Sequence, residues 1–280
     1  MSEGIAAKPY TPPNPFGVNQ KYWERIQGMR LMDDMLMTAA LDHNIDATQL
    51  ILRVILEKDD LVITNAVAQR EYKNLYGHSL RLDVEATDSA GSVIDIEIQR
   101  AERGAVPERA RYHSALMDAH GLKADQDFDK LPTTFVVFIT EKDYWKKGFP
   151  LYHFDRIMRE TGDEFGDRAH IIYANGEYSG EDSVGLLMKD FRESNPERIH
   201  FPELAERVRA LKNSEDEVKK MCRVMEITYK EGHADGEQDT RLSDLRNLME
   251  TLGLSLTDAL NALKVPSDEQ QTYIDLMAEK

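Results

Sequence analysis

The sequence predicts an α/β protein in which helices flank a mixed β-sheet, and two observations carry this prediction. Segments with the two-residue period of strands alternate with segments of helical character as far as about residue 200. One continuous apolar run, residues 133–140, has the length of a strand that is buried on both faces. Because strands interspersed with helices build layered folds, we expect one sheet covered by helices.

Each predicted element has a local signal. Helical patterns cover residues 29–41, a segment that begins near Asp46, and residues 107–120. Strand patterns cover residues 61–67, 80–85, 93–99, 133–140 and 170–174. Asp46 and Gln49 have the spacing of a capping box, and Gly121 is suited to ending the third helix. The strands at 80–85 and 93–99 are close enough in sequence to form a hairpin.

The chain divides by composition into three parts. Residues 1–20 combine prolines with few apolar anchors, which predicts a flexible N-terminal arm. Residues 21–200 carry the α/β pattern and form the main predicted domain. Residues 201–280 have a charged, helical character, with a glycine-containing boundary near residues 231–237. We therefore expect an α/β domain followed by a helical C-terminal extension.

Composition narrows the cellular setting and the classes of partner. A chain of 280 residues with 41% hydrophobic residues can bury a sizeable core. Its lone cysteine, Cys222, cannot form an intramolecular disulfide, and no leader peptide or membrane-length apolar run is evident. These features predict a cytoplasmic protein without a membrane partner. The net charge of −16 counts against broad nucleic-acid binding, so any DNA role must be local or metal-assisted.

The hairpin carries the candidate chemistry. Strand alternation over residues 93–99 places three isoleucines on one face, which we expect to meet the core, and Asp95, Glu97 and Gln99 on the other. If Gly91 takes the left-handed conformation of a three-residue turn, Asp88 pairs with Ser92. That register sets three pairs opposite each other on one face: Glu85 with Asp95, Asp83 with Glu97, and Arg81 with Gln99.

Two facing acidic pairs require compensation. Directly opposed residues have Cβ atoms roughly 4.5–5.5 Å apart, and opposed like charges destabilise a sheet. Carboxylate oxygens suit Mg²⁺ or Mn²⁺ better than zinc, whose cysteine and histidine ligands are absent at useful spacing. The alternative is a solvated sheet face on which Arg81 balances some of the acids. The spacing alone does not decide between a metal site and a hydrated surface.

At these residues the chain resembles a known family. The matching segments are Arg81-Leu-Asp-Val, Gly91 and Asp95-Ile-Glu-Ile-Gln, supported by Leu31-Met-Asp-Asp, Arg109-Ala-Arg-Tyr-His and Phe138-Ile-Thr-Glu-Lys-Asp-Tyr. They resemble the PD-(D/E)XK phosphodiesterase superfamily, specifically its recombination-promoting nuclease and transposase family. The similarity runs from about Met29 to Phe154, and the segment that begins at Lys230 also resembles the family. The resemblance implies a restriction-endonuclease-like core.

The resemblance also implies an activity and its residues. It implies DNA cleavage that depends on a divalent cation, with Asp83 and Glu97 as metal ligands. Gln99 stands where the wider superfamily has lysine, although this family commonly has glutamine there. Glutamine can hydrogen-bond but brings no positive charge to the attacking water, so catalysis would depend more on the metal.

Further candidates lie outside the hairpin. Asp33 or Asp34 matches an acidic residue that the family carries near its first helix and could supply another ligand; the alternative is an acid that stabilises a helix start. Arg109 and Arg111 could bind DNA phosphates, or form surface ion pairs. We interpret His113 as a packing residue. The basic and aromatic segment 142–147 could stack on bases, but a loop held to the body by its aromatic side chains is favoured.

We therefore expect a DNA endonuclease that uses Mg²⁺ or Mn²⁺ and serves recombination or transposition. A rival hypothesis keeps the fold but makes the chain an inactive interaction module, with Gln99 marking lost catalysis and the C-terminal helices recognising a partner. A third is a structural homo-oligomer whose acidic face stays hydrated. The C-terminal helices offer too little positive charge for a DNA-reading helix.

Overall fold

A computed structural model describes residues 13–74, 77–101, 104–267 and 269–278, leaving aside the side chains of residues 231–237. Most of the predicted N-terminal arm, residues 1–12, lies outside the described part. The chain divides into two compact units, of which the first ends at Lys219 and the second begins at Lys220. None of the described helices combines the length and the apolar character needed to cross a bilayer.

The first unit contains one mixed, six-stranded sheet. Its strands are β1 (Ile63–Tyr72), β2 (Leu80–Asp88), β3 (Val93–Gln99), β4 (Thr134–Thr140), β5 (Leu151–Phe154) and β6 (Ala169–Asn175). They lie in the order β1-β2-β3-β4-β6-β5. The β3–β4 and β4–β6 pairs are parallel, whereas the pairs β1–β2, β2–β3 and β5–β6 are antiparallel. The prediction of a mixed sheet flanked by helices is confirmed.

Helices cover the sheet. Those of the first unit are α1 (Gln20–Gly28), α2 (Asp34–Leu41), α3 (Ile45–Ile55), α4 (Pro107–Gly121), α5 (Ser183–Arg192) and α6 (Pro202–Asn213). The predicted helix over 29–41 begins later, at Asp34, because the Asp33 carboxylate accepts a hydrogen bond from the Arg30 backbone (2.8 Å) and closes a turn there. The pattern analysis missed α1, although its buried Trp23 and Ile26 have helical spacing.

The predicted hairpin forms as expected between β2 and β3. Gly91 has φ +83°, and the Asp88 N–H donates to the Ser92 carbonyl at 3.1 Å. In this register Glu85 lies opposite Asp95. The isoleucines of β3 are buried, as predicted. Every residue of β4, the next strand in the sheet, is also buried, which confirms a central strand covered on both faces.

Lys212 joins α6 to the rest of the first unit. Its side chain is 1% exposed. The ammonium donates to the backbone carbonyls of Gln27 (2.9 Å) and Met29 (2.6 Å), and also to that of Ser194. In return, the Gln27 side chain donates to the Lys212 carbonyl at 2.9 Å. This buried ammonium satisfies three carbonyls that would otherwise lose their partners.

The second unit, which begins at Lys220, is helical. It contains most of α7 (Glu215–Leu252) together with α8 (Leu256–Ala262) and α9 (Gln270–Ala278). Leu245, Leu260 and Tyr273 belong to its small buried core. The backbone of α7 runs on through residues 231–237, where the glycines predicted a break. Isolated glycines weaken a helix by only about 1 kcal/mol each, which the residues on either side can offset.

Candidate active site

The carboxylates of Asp83, Asp95 and Glu97 lie near the point where β2 and β3 separate. The Asp83 N–H donates to Glu97 Oε1 at 2.9 Å, and the Ile98 N–H donates to Asp83 Oδ2 at 3.0 Å. Each strand thus holds a carboxylate of the other by a backbone hydrogen bond, beyond the last paired residues, Val84 and Ile96. Asp95 and Glu97 are both 0% exposed. The alternative of a hydrated acidic face is therefore wrong, because the face that carries these two acids is covered.

Helix α4 supplies that cover. Arg109 Nη2 lies 2.7 Å from Glu97 Oε2, and Arg109 Nε donates to His113 Nε2 at 3.2 Å. His113 Nδ1 lies 2.7 Å from Asp95 Oδ2. Since Nε2 of His113 accepts a hydrogen bond, Nδ1 carries the proton and donates it to Asp95. One helical turn, from Arg109 to His113, therefore connects both buried acids of β3.

Burial controls the protonation of this cluster. It raises the pKa of Glu97 to about 9, and the negative charges of Asp95 and Asp83 add to the effect. It also raises the pKa of Asp95 and that of Asp83. The pKa of His113 falls to about 4, chiefly because burial disfavours the imidazolium. The histidine is therefore neutral at pH 7, and the carboxyls resist ionisation without a compensating positive charge.

The donor set is suited to a divalent cation. Ligand atoms of Asp95, Glu97 and His113 lie within 4.8 Å of one another. Asp95 Oδ1 is buried and has no hydrogen-bond partner among the described residues. Leaving a buried carboxylate oxygen unpaired is costly, so this atom is consistent with a ligand that supplies the missing contact. Carboxylate oxygens from Asp83 and Glu97 add the hard donors that Mg²⁺ or Mn²⁺ requires.

Gln99 lies beside this cluster. Its Nε2 is 3.4 Å from Glu97 Oε2. On its other side is Gly104, where an added Cβ would lie 1.9 Å from Gln99 Oε1. The absence of a side chain at position 104 therefore leaves the space that the Gln99 amide occupies.

The other predicted residues have contrasting surroundings. Asp34 is exposed in the first turn of α2, and its charge contributes to the raised pKa of Asp83. Asp33 is instead ion-paired, with its Oδ1 2.7 Å from Arg100 Nη1. Arg111 is exposed on α4. Arg109 points to Glu97, not outward into a surface ion pair.

The aromatic residues of segment 142–147 pack against the protein body. Tyr144 and Trp145 contact the core cluster that contains Phe138, and Trp145 meets the ring of Tyr173 at 5.8 Å. This arrangement agrees with the favoured interpretation of a loop held by its aromatic side chains.

Sequence reasoning overlooked two members of the cluster. Asp95 was placed on the correct face but not among the ligands, and His113 was interpreted as a packing residue. A usable signal existed, since Arg109 and His113 stand four residues apart on one predicted helix and so share a face. What the pattern lacked was the position of that helix over β3.

The fold and the cluster together fit a nuclease of restriction-endonuclease-like architecture, and a family comparison agrees. The family model described as PD-(D/E)XK nuclease family transposase matches residues 40–178. The chain therefore belongs to this family. The match includes Asp83, Glu97 and Gln99, and it also includes α4 with Arg109. No match was found among curated proteins or among solved structures.

Proposed function

We propose that this protein is a DNA endonuclease that depends on a divalent cation. The observation that carries the proposal is the cluster of the partly buried Asp83 with the fully buried Asp95 and Glu97, in which Asp95 Oδ1 has no partner among the described residues. A fold retains such mutually repelling acids at a cost in stability, and active sites are where that cost is commonly found. The match of residues 40–178 to a nuclease family supports a role for these acids in phosphodiester cleavage.

Asp83 and Glu97 are the proposed ligands of Mg²⁺ or Mn²⁺, and Asp95, whose Oδ1 has no partner among the described residues, is a third. Asp34 is the better candidate for a further ligand, because Asp33 is engaged with Arg100 whereas the charge of Asp34 reaches Asp83. A bound divalent ion would supply activation of water and neutralisation of the phosphate charge.

The reaction is hydrolysis of a phosphodiester. Water adds to phosphorus, one P–O ester bond breaks, and the products are a phosphate-terminated and a hydroxyl-terminated strand. Gln99, hydrogen-bonded beside Glu97, would orient the attacking water through its amide. Its neutral side chain cannot stabilise negative charge as a lysine would, so we expect slower turnover than a lysine at this position would give.

A second candidate function rests on the same residue. If Gln99 marks the loss of catalysis, the chain is an interaction module that keeps the nuclease fold, and the helical unit beyond Lys220 would recognise its partner. A role in recombination or transposition, and assembly as a homo-oligomer, are also part of the proposal. They rest on the family description and on composition, not on a contact within the chain.

A cleavage assay tests the proposal. Supercoiled plasmid is incubated with the full chain in Mg²⁺, in Mn²⁺ or in EDTA, alongside the Glu97→Gln variant. We expect nicking or linearisation with either metal, none in EDTA, and none from Glu97→Gln. A wild-type protein that is folded but leaves the plasmid intact in both metals would refute the endonuclease and favour the interaction module.

Gly104→Ala tests the role of Gln99 without touching it. The new Cβ would displace the Gln99 amide from Glu97, and because the displaced atom ends a flexible side chain, we expect stability to change by no more than about 1 kcal/mol. Cleavage should slow by about tenfold as the water loses its orienting group. Initial rates and urea unfolding measure the two effects.

Gly28→Ala is the matched control, because a Cβ there meets no atom within 4 Å. Cleavage by Gly28→Ala should equal that of the wild type. An unchanged rate in Gly104→Ala would show that Gln99 does not orient the water.

A further inference from the structure

The Arg109 guanidinium is held beside the acidic cluster by hydrogen bonds to three different acceptors. Its Nη2 binds Glu97 Oε2 at 2.7 Å, its Nε donates to His113 Nε2 at 3.2 Å, and its Nη1 donates to the Gly104 carbonyl at 3.2 Å. The guanidinium also lies over the Phe138 ring, 5.9 Å from its centroid. Three nitrogens therefore have separate acceptors, a geometry that lysine could not reproduce.

The charge on Arg109 compensates the whole cluster. Among the described residues, ion pairs to Asp95 and Glu97 come from Arg109 and His113 alone, and the His113 ring is neutral because its Nε2 accepts a hydrogen bond from Arg109 Nε. The positive charge of Arg109 acts on Asp83 as well. In the absence of a metal ion, the guanidinium is therefore the positive charge that stabilises these acids.

Arg109 is also the member of this network that can leave. Its side chain is 36% exposed, whereas Glu97 and His113 are 0% exposed. A long side chain at the solvent boundary can rotate away without opening the core, while the buried acids cannot. A cation that approaches Glu97 would need the Oε2 lone pairs that Arg109 now uses, and would meet its positive charge.

We propose that Arg109 is an exchangeable partner of Glu97: its guanidinium binds Glu97 Oε2 in the metal-free protein, yields that oxygen to the divalent cation, and is thereby freed to bind a DNA phosphate. This inference rests on the proposed function. It implies an order of binding: the cation binds first and displaces the Arg109 guanidinium, which then binds the DNA substrate. Guanidinium groups bind phosphates with paired hydrogen bonds, so the released group is chemically suited to the backbone of DNA.

Direct measurement of Mn²⁺ binding tests the exchange. The full chain without DNA is titrated with Mn²⁺ and followed by electron paramagnetic resonance of the free ion, for wild type, Arg109→Gln, Arg109→Lys and Arg25→Gln. Because Arg109→Gln removes the competing charge, we expect its Mn²⁺ affinity to rise by about tenfold. Arg109→Lys keeps the charge but cannot form all three hydrogen bonds. Its Mn²⁺ affinity should therefore lie between those of the wild type and Arg109→Gln. Arg25→Gln removes an exposed arginine from α1, outside the cluster, and should match the wild type.

A second titration follows the released guanidinium. Binding of a short labelled duplex is measured by fluorescence anisotropy with and without Ca²⁺, which occupies oxygen sites and commonly fails to support hydrolysis. We expect Ca²⁺ to raise the DNA affinity of the wild type. The ratio of DNA affinities with and without Ca²⁺ should be smaller in Arg109→Gln by about fivefold. Circular dichroism of each variant confirms that the fold is retained.

The possible outcomes distinguish failure of the Arg109 exchange from failure of the proposed metal-dependent nuclease function. Mn²⁺ affinity in Arg109→Gln that is unchanged or weaker, with wild-type binding intact, would show that Arg109 supports the site structurally and would overturn the exchange. Absence of Mn²⁺ binding by the wild type would overturn the proposed metal-dependent function itself. Tighter Mn²⁺ binding together with lost Ca²⁺-dependent DNA binding supports the exchange.

Discussion

Asp83→Asn is expected to abolish metal-dependent DNA cleavage while stabilising the metal-free fold. Cleavage should fall by at least about 10³-fold, because the variant loses a charged ligand of the cation. The free energy of unfolding in EDTA should rise by about 1 kcal/mol at neutral pH, since burial among other acids already raises the pKa of Asp83 and disfavours its ionised form. Asparagine keeps an oxygen that can accept the Ile98 N–H.

The sign of the pH dependence follows from the raised pKa of Asp83. An acid with a raised pKa in the folded state binds its proton more tightly than in the unfolded chain, so its contribution to stability is lost as pH rises. The advantage of Asp83→Asn should therefore be largest at neutral pH. It should vanish near the ordinary aspartate pKa of about 3.9, where wild-type Asp83 is itself protonated.

Asp42→Asn is the matched control for this variant. The Asp42 carboxylate also accepts a backbone N–H from a strand, that of Ala68 at 3.1 Å, but it lies outside the cluster. We expect no loss of cleavage and no gain in stability from Asp42→Asn. If Asp83→Asn cleaves at the wild-type rate, or if both variants change stability equally, Asp83 is not the ligand that we propose.

Lys212→Met should cause the largest loss of stability among the changes considered. The methionine fills similar volume but leaves the carbonyls of Gln27, Met29 and Ser194 without the donor that the 1%-exposed Lys212 side chain supplies. Each buried carbonyl left unpaired costs about 1–3 kcal/mol, so the free energy of unfolding should fall by about 3–5 kcal/mol. Urea unfolding measures the change.

Lys219→Met provides the comparison. Lys219 is exposed and pairs with Glu215 at 2.5 Å on the surface of α7. Exposed pairs of this kind contribute little, so we expect no measurable change in the free energy of unfolding. Equal effects of the two substitutions would show that the carbonyls around Lys212 find other donors, and that its buried ammonium does not hold α6 in place.

The parts of the fold that the sequence predicted are those with local causes. The β2–β3 hairpin depends on Gly91 adopting a positive φ and on alternation along each strand, and both can be read over a few residues. Its register then placed Asp83, Asp95 and Glu97 together. The central strand β4 could also be predicted, because its apolar run is uninterrupted.

The parts that were missed depend on packing between distant segments. Nothing within residues 93–99 indicates that their acidic face is buried, because the cover comes from α4 and depends on how that helix crosses the sheet. The contacts of Arg109 and His113 with the acids arise from the same crossing. Strand β5 (Leu151–Phe154) was missed for another reason: it is short and only partly buried, so its pattern is weak.

The most direct test of a cation held by the β2–β3 hairpin is a crystal structure of the protein soaked in Mn²⁺, with anomalous data collected near the manganese edge. We expect one strong anomalous peak in contact with the carboxylates of Asp83 and Glu97, and the Arg109 guanidinium displaced from Glu97. A peak found only away from these two carboxylates, or no peak at a Mn²⁺ concentration that supports cleavage, would contradict the proposed metal centre.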